Sequence, residues 1–480
     1  MKNSLIKFSL PALLILSASN VNATTVKEVV QHTLMNNPQV QASMSNDKAT
    51  KLYIDEAKTG YTPTLDFTAE ATRKKTKNNP DALADTENTV RGNNMRLDLE
   101  QLIFDGGLTT GLVDEAKYKY SSNKFANDTI RNEALLESIS AYINLAKYDE
   151  RLKLSKDNLN TYESYLKTAK ETEEINGEAL DRVQSSAKIY LAKSNYLDEK
   201  ANSKKSESVF EKSVGLKPDG NYCRPNIASE NIPELGELVK LAMAQNSDVL
   251  EQVENIKEQR EKLSQTKAGY WPTLKFKAQA LRDRDLIADE EKTRIYTGKI
   301  ELTYNIFSGG ATDVATEREK LFLMESQNTL DKVTKDITDK ITSSYITYKT
   351  AQKKIVELER YIADNTQIVS IYKDQFDSGT RTFIDLLNVE GDLYNSRLSL
   401  TNAQFDMYQA YYEMKTYLST VQGDVMGQND QVCGDKKPMA KMAKPAVDSD
   451  VKAMMDDEAT TGTLMGDLAS EFASEIESGK

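Results

Sequence analysis

KTGYTPTL (residues 58–65) and KAGYWPTL (residues 267–274) are one phrase written twice, with Pro63 and Pro272, and Leu65 and Leu274, each 209 positions apart. Upstream, NPQV at 37–40 returns as NSDV at 246–249 with the same offset, whereas IFDGG at 103–107 returns as IFSGG at 306–310, only 203 positions on. Landmarks repeated in fixed order are the mark of a duplicated unit, and one change of spacing places a loop of different length between them. The 480 residues therefore read as two halves of about 200 residues on a single plan.

Working outward from the repeated phrase, a helical segment precedes it in each half, at 26–59 and 232–268, and the proline marks its end. Beyond the proline the pattern has period two. Leu65, Phe67, Ala69 and Ala71 alternate with Asp66, Thr68, Glu70 and Thr72, and Met95, Leu97 and Leu99 alternate with Arg96, Asp98 and Glu100. The second half repeats this with Leu274, Phe276, Ala278 and Ala280, then Ile300, Leu302, Tyr304 and Ile306, against Lys275, Lys277, Gln279, Lys299, Glu301, Thr303 and Asn305. These are two hairpins, about 61–104 and 270–307, with polar loops around 78–89 and 282–294.

Two readings of the hairpins compete. A half-buried antiparallel sheet could lie on the helices of a soluble protein. Alternatively, strands of about ten residues, charged on one face and apolar on the other, suit an outer-membrane barrel with lipid outside and water within. Four strands cannot close a barrel, so the second reading requires several copies of the chain.

After each hairpin a glycine pair, Gly106-Gly107 or Gly309-Gly310, redirects the chain into a helix with no interruption for about 70 residues, roughly 100 Å at 1.5 Å per residue. Leu135, Ile139, Tyr142 and Ala146 step by four and three, as do Val333, Ile337, Ile341, Tyr345 and Tyr348, and the last helix keeps the rhythm through Leu400, Ala403, Met407, Ala410, Met414, Tyr417 and Val421. Such stripes belong to helices packed side by side and read as core.

The second long helix turns back at FDSGTRTFIDLLN (residues 376–388), where Gly379 supplies the positive φ that reversal needs. Arg381, Asp385 and Asn388 come next at spacings of four and three and are expected on one face of the returning helix. Several such hairpins meeting at an axis would present a ring of charged and polar groups, and an Asp385 ring would favour cations. The plain alternative is a solvated helix N-terminus, where an Asp is favoured by the dipole anyway. The first-half turn reads INGEALDRV (residues 175–183), with Gly177 and Asp181, two residues shorter between its Gly and its Asp.

Composition bounds the function. Residues 1–23 carry Lys2 and Lys7, an apolar run from Phe8 to Leu16 and small residues up to Ala23, the pattern of a cleaved signal peptide. The whole chain has 62 basic and 74 acidic residues, and loss of the two leader lysines takes its net charge from −12 to −14. The sequence shows no basic patch to neutralise phosphodiesters, which argues against nucleic acid as a partner. With mean hydropathy −0.59 and no spanning apolar stretch after the leader, no transmembrane helix is expected. His32 is the only histidine, and neither a nucleophile motif nor a phosphate loop nor a metal-ligand set is present, so neither catalysis nor a cofactor is expected. Residues 215–233 read as a linker between the halves. The acidic residues 423–480 read as a largely disordered tail with a short helix near 464–476. Cys223 in the linker and Cys433 in the tail could pair in an oxidising compartment.

Together, the duplicated Tyr-x-Pro-Thr-Leu and Phe-x-Gly-Gly landmarks and GTRTFIDLL at 379–387 make the chain from about Thr24 to Val421 resemble the TolC family of outer-membrane channels. The stretch from Phe383 to Tyr394 is nearest to members serving type I secretion. The resemblance implies a mainly helical chain of two repeats, 24–214 and 234–422, forming a homotrimer. Its hairpins would complete a twelve-stranded outer-membrane barrel, while its helices form a coiled-coil tunnel across the periplasm. It implies a periplasmic adaptor, an inner-membrane ABC transporter or other pump, and outer-membrane lipid as partners. It places Arg381 in contacts that hold the periplasmic tip shut, with Asp181 as its expected first-half partner, and Asp385 in an inner ring. Asn388 stands where a second ring Asp is common, and Phe376 where a hydrogen-bonding Tyr is found. Multidrug efflux is the alternative cargo, and a soluble periplasmic coiled-coil or adaptor protein the alternative class.

Overall fold

The computed structural model describes residues 24–78, 86–225, 227, 232–284 and 292–427. The leader at 1–23, Cys433 and the expected helix near 464–476 lie outside them. One order of elements is used twice. In the first half it runs α1 (Val26–Asn36), α2 (Pro38–Lys58), β1 (Thr64–Asn78), β2 (Thr86–Phe104), α3 (Leu108–Asn176) and α4 (Leu180–Val214). In the second it runs α5 (Leu235–Gln245), α6 (Ser247–Ala268), β3 (Thr273–Arg284), β4 (Lys292–Thr303), α7 (Ala311–Asp377) and α8 (Phe383–Tyr417), with a short α9 (Val421–Gly427) at the end.

The opening helix of each half is broken, where the sequence pattern predicts a continuous one. Asn37 and Asn246 leave the helical region with ψ of 123° and 128°, and their side chains accept hydrogen bonds from the next helix's first amides, Gln39 N at 2.9 Å and Val249 N at 3.1 Å. Pro38 enforces the break in the first half by disfavouring helix at the residue before it. Ser247 holds that place in the second half, so the capping asparagine is the cause common to both.

The helices α3 and α7, 69 and 67 residues long, are the two rails of the protomer. Against α7 lie α6 and α8 of its own half, whereas α3 packs on α2 and α4 of its half and also on α6 and α8 of the other, which joins the two halves. Gly106 and Gly107, with φ of 74° and 90°, and Gly309 and Gly310, with φ of 65° and 81°, make the bends from sheet into rail. A Cβ on Gly106 would stand 2.6 Å from Cβ of Trp271 and 2.8 Å from the Ala268 carbonyl, so both handedness and space demand glycine there. Asp105 then supplies the cap that Gly107 lacks, accepting from Gly107 N and Thr109 N at 3.1 and 2.8 Å.

The main core sits where the short helices α1, α5 and α9 cross the rails. Leu135, Ile139, Tyr142, Ala146, Ile337, Ile341, Met407, Ala410, Met414 and Val421 of the expected stripes are all buried there, together with Val29, Phe210 and Ala242. The linker is strapped onto the same belt. The Tyr142 hydroxyl lies 2.6 Å from the Cys223 carbonyl and 2.7 Å from that of Thr24, and Arg224 donates to Glu150 Oε1 at 2.7 Å and Gln404 Oε1 at 2.8 Å. His32, the only histidine, is half-buried with Nδ1 2.7 Å from the Val214 carbonyl at the end of α4. The helix end attracts a polar ring because its last carbonyls have no partner of their own.

The four strands form one antiparallel sheet in the order β1-β2-β3-β4, so the two hairpins join through β2 and β3. At 15, 19, 12 and 12 residues the strands run further than the ten expected, into segments whose composition reads as polar loop. Backbone pairing continues after the apolar alternation stops, as between Arg73 and Arg91 and between Arg284 and Lys292, because ladder hydrogen bonds do not depend on side-chain polarity.

Replacing Tyr142 by Phe should lower the apparent unfolding midpoint of the detergent-solubilised protein, because it strands a buried carbonyl at a cost of about 1–3 kcal/mol. The same change at Tyr190, which is 72% exposed, should leave the midpoint in circular dichroism unmoved.

Candidate functional site

The sheet has two unlike faces. On one, Lys277 on β3 bridges Glu301 of β4 at 2.6 Å and Glu100 of β2 at 3.6 Å, while Lys275 reaches Glu100 at 2.7 Å and Lys299 reaches Glu301 at 2.7 Å. Gln279 donates to Asp98 at 2.8 Å one row further along. On the other face Leu65, Leu99, Ala278 and Gly298 share a row, and Phe67, Leu97, Ala280 and Tyr296 share the next. Leu65, Phe67, Ile300 and Leu302 are each more than 60% exposed in the protomer, and Tyr296 is 80% exposed. A greasy outside and a charged inside are what a barrel wall between lipid and water requires.

At the opposite end of the rails, the apolar residues of the turn motif are core. Phe383, Leu386 and Leu387 are buried with Tyr162, Ala169, Ala192 and Val389, and Phe383 meets the rings of Phe376 at 4.8 Å and Tyr165 at 5.9 Å. The Tyr162 hydroxyl donates to the Leu387 carbonyl at 3.0 Å, and Tyr165 to Glu390 Oε1 at 2.7 Å. Burial pushes the Tyr162 hydroxyl up to about 12 and raises that of Tyr165 as well, so both tyrosines stay protonated donors at neutral pH. Phe376, lacking a hydroxyl, contributes a ring contact instead of a hydrogen bond.

Arg381 and Asp385 meet as their spacing suggests, but Arg381 does so from outside the helix. Arg381 precedes the helix, since Thr382 is the cap and α8 begins at Phe383, and its guanidinium folds back over the Tyr372 ring with its carbon 3.9 Å from the centroid. Its Nε donates to Gln375 Oε1 at 3.2 Å, and Nη1 lies 3.8 Å from Asp385 Oδ2. Asp385 also accepts from Thr382 Oγ1 at 2.7 Å, and Asn388 Oδ1 accepts from Lys188 of α4 at 3.0 Å. Arg381 and Asp385 are thus partners of each other, while Asn388 takes a separate partner on α4. Sequence reasoning missed Tyr372, Gln375 and Lys188. Only the i−9 and i−6 spacing of Tyr372 and Gln375 from Arg381, across a tight glycine turn, could have pointed to the first two.

Gly379 and Gly177 both close their turns with positive φ, at 75° and 77°. In the first-half turn Arg182 Nε pairs with Glu173 Oε2 at 2.6 Å across the hairpin. Asp181, the expected partner of Arg381, forms no ion pair among the described residues. Its carboxyl is held above the usual aspartate range, by burial first and by Glu178 second. At the sheet end the four bend glycines lie as expected between strand and rail. Cys223 is 8% exposed and is not a free thiol, while its expected partner Cys433 is outside the described residues.

A sheet fit for a barrel wall, carried on helical rails of roughly 100 Å that end in a tight polar tip, defines a channel component that spans a membrane by strands and a compartment by helices. The chain belongs to the outer membrane efflux protein family, whose model matches residues 29–215 and 238–420 and so takes in both halves. It is similar to the alkaline protease secretion protein AprF of Pseudomonas aeruginosa, 21% identical over 80% of this chain and 82% of that one. It is likewise similar to the outer membrane efflux protein BepC of Brucella suis, 22% identical over 82% and 84%. Among solved structures, the CmeC outer membrane channel of Campylobacter jejuni superposes with a TM-score of 0.73 at 16% identity, covering 88% of this chain and 94% of that one. The chain is therefore an outer-membrane channel of tripartite export systems and not an enzyme. Channels of this family are homotrimers that work with periplasmic adaptors and inner-membrane transporters.

The raised Asp181 carboxyl binds its proton more tightly in the folded tip than in the unfolded chain. Its contribution is therefore favourable below the ordinary aspartate range and is lost as pH rises through the raised value. In the dissociated protomer, without any contact across protomers, Asp181→Asn, which keeps the group neutral, should raise the apparent unfolding midpoint at about pH 7, by on the order of 1–2 °C, and leave it unchanged near pH 4. An equal shift at both pH values would show that the carboxyl's charge is not the cause.

Proposed function

We propose that this channel is the exit duct of a type I protein-secretion system, receiving polypeptide from an inner-membrane ABC transporter through a periplasmic adaptor. The observation that carries this reading is the similarity over four-fifths of the chain to a protein named for protease secretion, strengthened by the stretch from Phe383 to Tyr394. The similarity to BepC, named for efflux, favours drug export as the second reading. Removal of the chain from its native cell should abolish at least one protein from the culture supernatant and leave sensitivity to drugs and detergents within about twofold. Unchanged secreted protein with strongly increased drug sensitivity would establish the second reading instead.

At the tip, Arg381 is the closing residue in this proposal. Stacked on Tyr372 and tied to Gln375, its guanidinium is held in one orientation with N–H groups left over, and charge-assisted bonds of that kind are among the stronger side-chain contacts. The acidic partner then belongs to an adjoining protomer, with Asp181 the first candidate because it has no cation of its own among the described residues. Arg381→Ser should raise single-channel conductance in planar bilayers several-fold, and Tyr372→Leu, which removes the platform, should raise it less. Conductance unchanged in both variants would exclude Arg381 from the gate. In the same bilayers Asp385→Asn should weaken cation preference, as expected for an axial acidic ring.

A further inference from the structure

The outward face of the sheet changes character where the strands continue past their apolar rows. Beyond Phe67, Leu97, Ala280 and Tyr296, the residues on that same face are Ala69, Met95, Arg282 and Arg294, then Ala71, Asn93, Arg284 and Lys292, then Arg73 and Arg91, then Lys75 and Thr89. Seven of these twelve are cationic and none is acidic, which is far from chance in a chain with an excess of carboxylates. The inward face at the same levels is mixed, with Glu70, Lys74, Asn94 and Asp283.

The arrangement is unfavourable without a ligand. Arg73 stands directly across from Arg91, Arg282 from Arg294 and Arg284 from Lys292, and like charges opposite one another weaken a strand pair. Among the described residues, Arg73, Arg91, Arg282, Arg294 and Lys292 have no carboxylate within ion-pair distance, in contrast to the inward lysines Lys275, Lys277 and Lys299, each of which has at least one. Five of the seven cations are arginines, whose planar fork matches phosphate oxygens in pairs.

We propose that this outward basic girdle docks lipid headgroups that carry clustered phosphates. The occupant is fixed by continuity. Directly below the cations, on the same face and the same strands, lies the apolar wall from Tyr296 back to Leu302, about 20 Å of strand at 3.4 Å per residue. A molecule that covers both regions at once has alkyl chains joined to phosphate, which is a lipid and neither a free ion nor a protein. The three copies of a trimer would repeat the cationic set around the whole rim. The tyrosine at the boundary, Tyr296, places its amphipathic ring where chains give way to headgroups.

This rests on the membrane placement of the sheet and is tested separately from it. The full-length channel is reconstituted into neutral phosphatidylcholine vesicles and titrated with a diphosphorylated glycolipid (lipid A) or its dephosphorylated form, reading bound lipid by fluorescence. The wild type should bind the phosphorylated lipid at least about tenfold more tightly than the dephosphorylated one, and millimolar inorganic phosphate should not displace it. The variant carrying R73Q, R91Q, R282Q and R294Q should insert and conduct in neutral vesicles but lose that preference. Equal affinity for the two lipids overturns the girdle without reference to any variant. Displacement by inorganic phosphate reduces it to a simple anion site, and an unaltered preference in the variant assigns the binding elsewhere. A wild type that fails to enter even neutral vesicles overturns the membrane placement, and the girdle with it.

Discussion

Everything in this protomer answers to the unpaired backbone at the two edges of its sheet. β1 and β4 each present a row of amide and carbonyl groups with no neighbouring strand among the described residues, and the outward side chains of Leu65, Phe67, Tyr296, Ile300 and Leu302 beside them are apolar. In hydrocarbon such groups have no water to turn to, and only closure of the sheet removes them. Four strands cannot close on themselves, whereas three copies of four make twelve. The trimeric habit of the family is thus a consequence of strand number, and the inward ion-pair ladder of Glu100, Lys277, Glu301 and Lys299 becomes the wall of a water-filled bore.

The helices translate that closed ring into a tunnel. Both rails leave the sheet through paired left-handed glycines, so both halves depart in the same sense, and α3 is held by the shorter helices of both halves. The belt where those shorter helices meet carries most of the buried apolar surface, with the linker tied across it by Tyr142 and Arg224. The tip has its own smaller core around Phe383 and Leu387, separated from the belt.

The alternating rows Leu65–Phe67 and Ile300–Leu302, the glycine pairs and the apolar stripe through Ile139 and Ile341 were legible because each is a strict period imposed by a regular backbone. The breaks at Asn37 and Asn246 were not, even though the motif containing them repeats, because a capping asparagine and a mid-helix asparagine look alike until the side chain is seen to accept from the next amides. The strand extensions carrying Arg73, Arg91, Arg282 and Arg294 read as loops for a similar reason. Outside the apolar band both faces are polar, and alternation disappears from the sequence while the backbone ladder goes on. At Arg381 helical spacing pointed to Asp385 but not to Tyr372 or Gln375, since the residue lies two positions before the helix and folds back across the turn.

Sequence by itself determined the duplication, the division of each half into helix, hairpin, rail and return helix, and which face of each strand is apolar, all of which are local or periodic properties. Tertiary structure decided what no period encodes. It joined β2 to β3, brought Tyr372 and Gln375 under Arg381, set Lys188 against Asn388, and lined up the cations of four strands on one side of a sheet. Those juxtapositions depend on strand register and on how two helices approach across a turn, and both are set by packing between segments far apart in the chain.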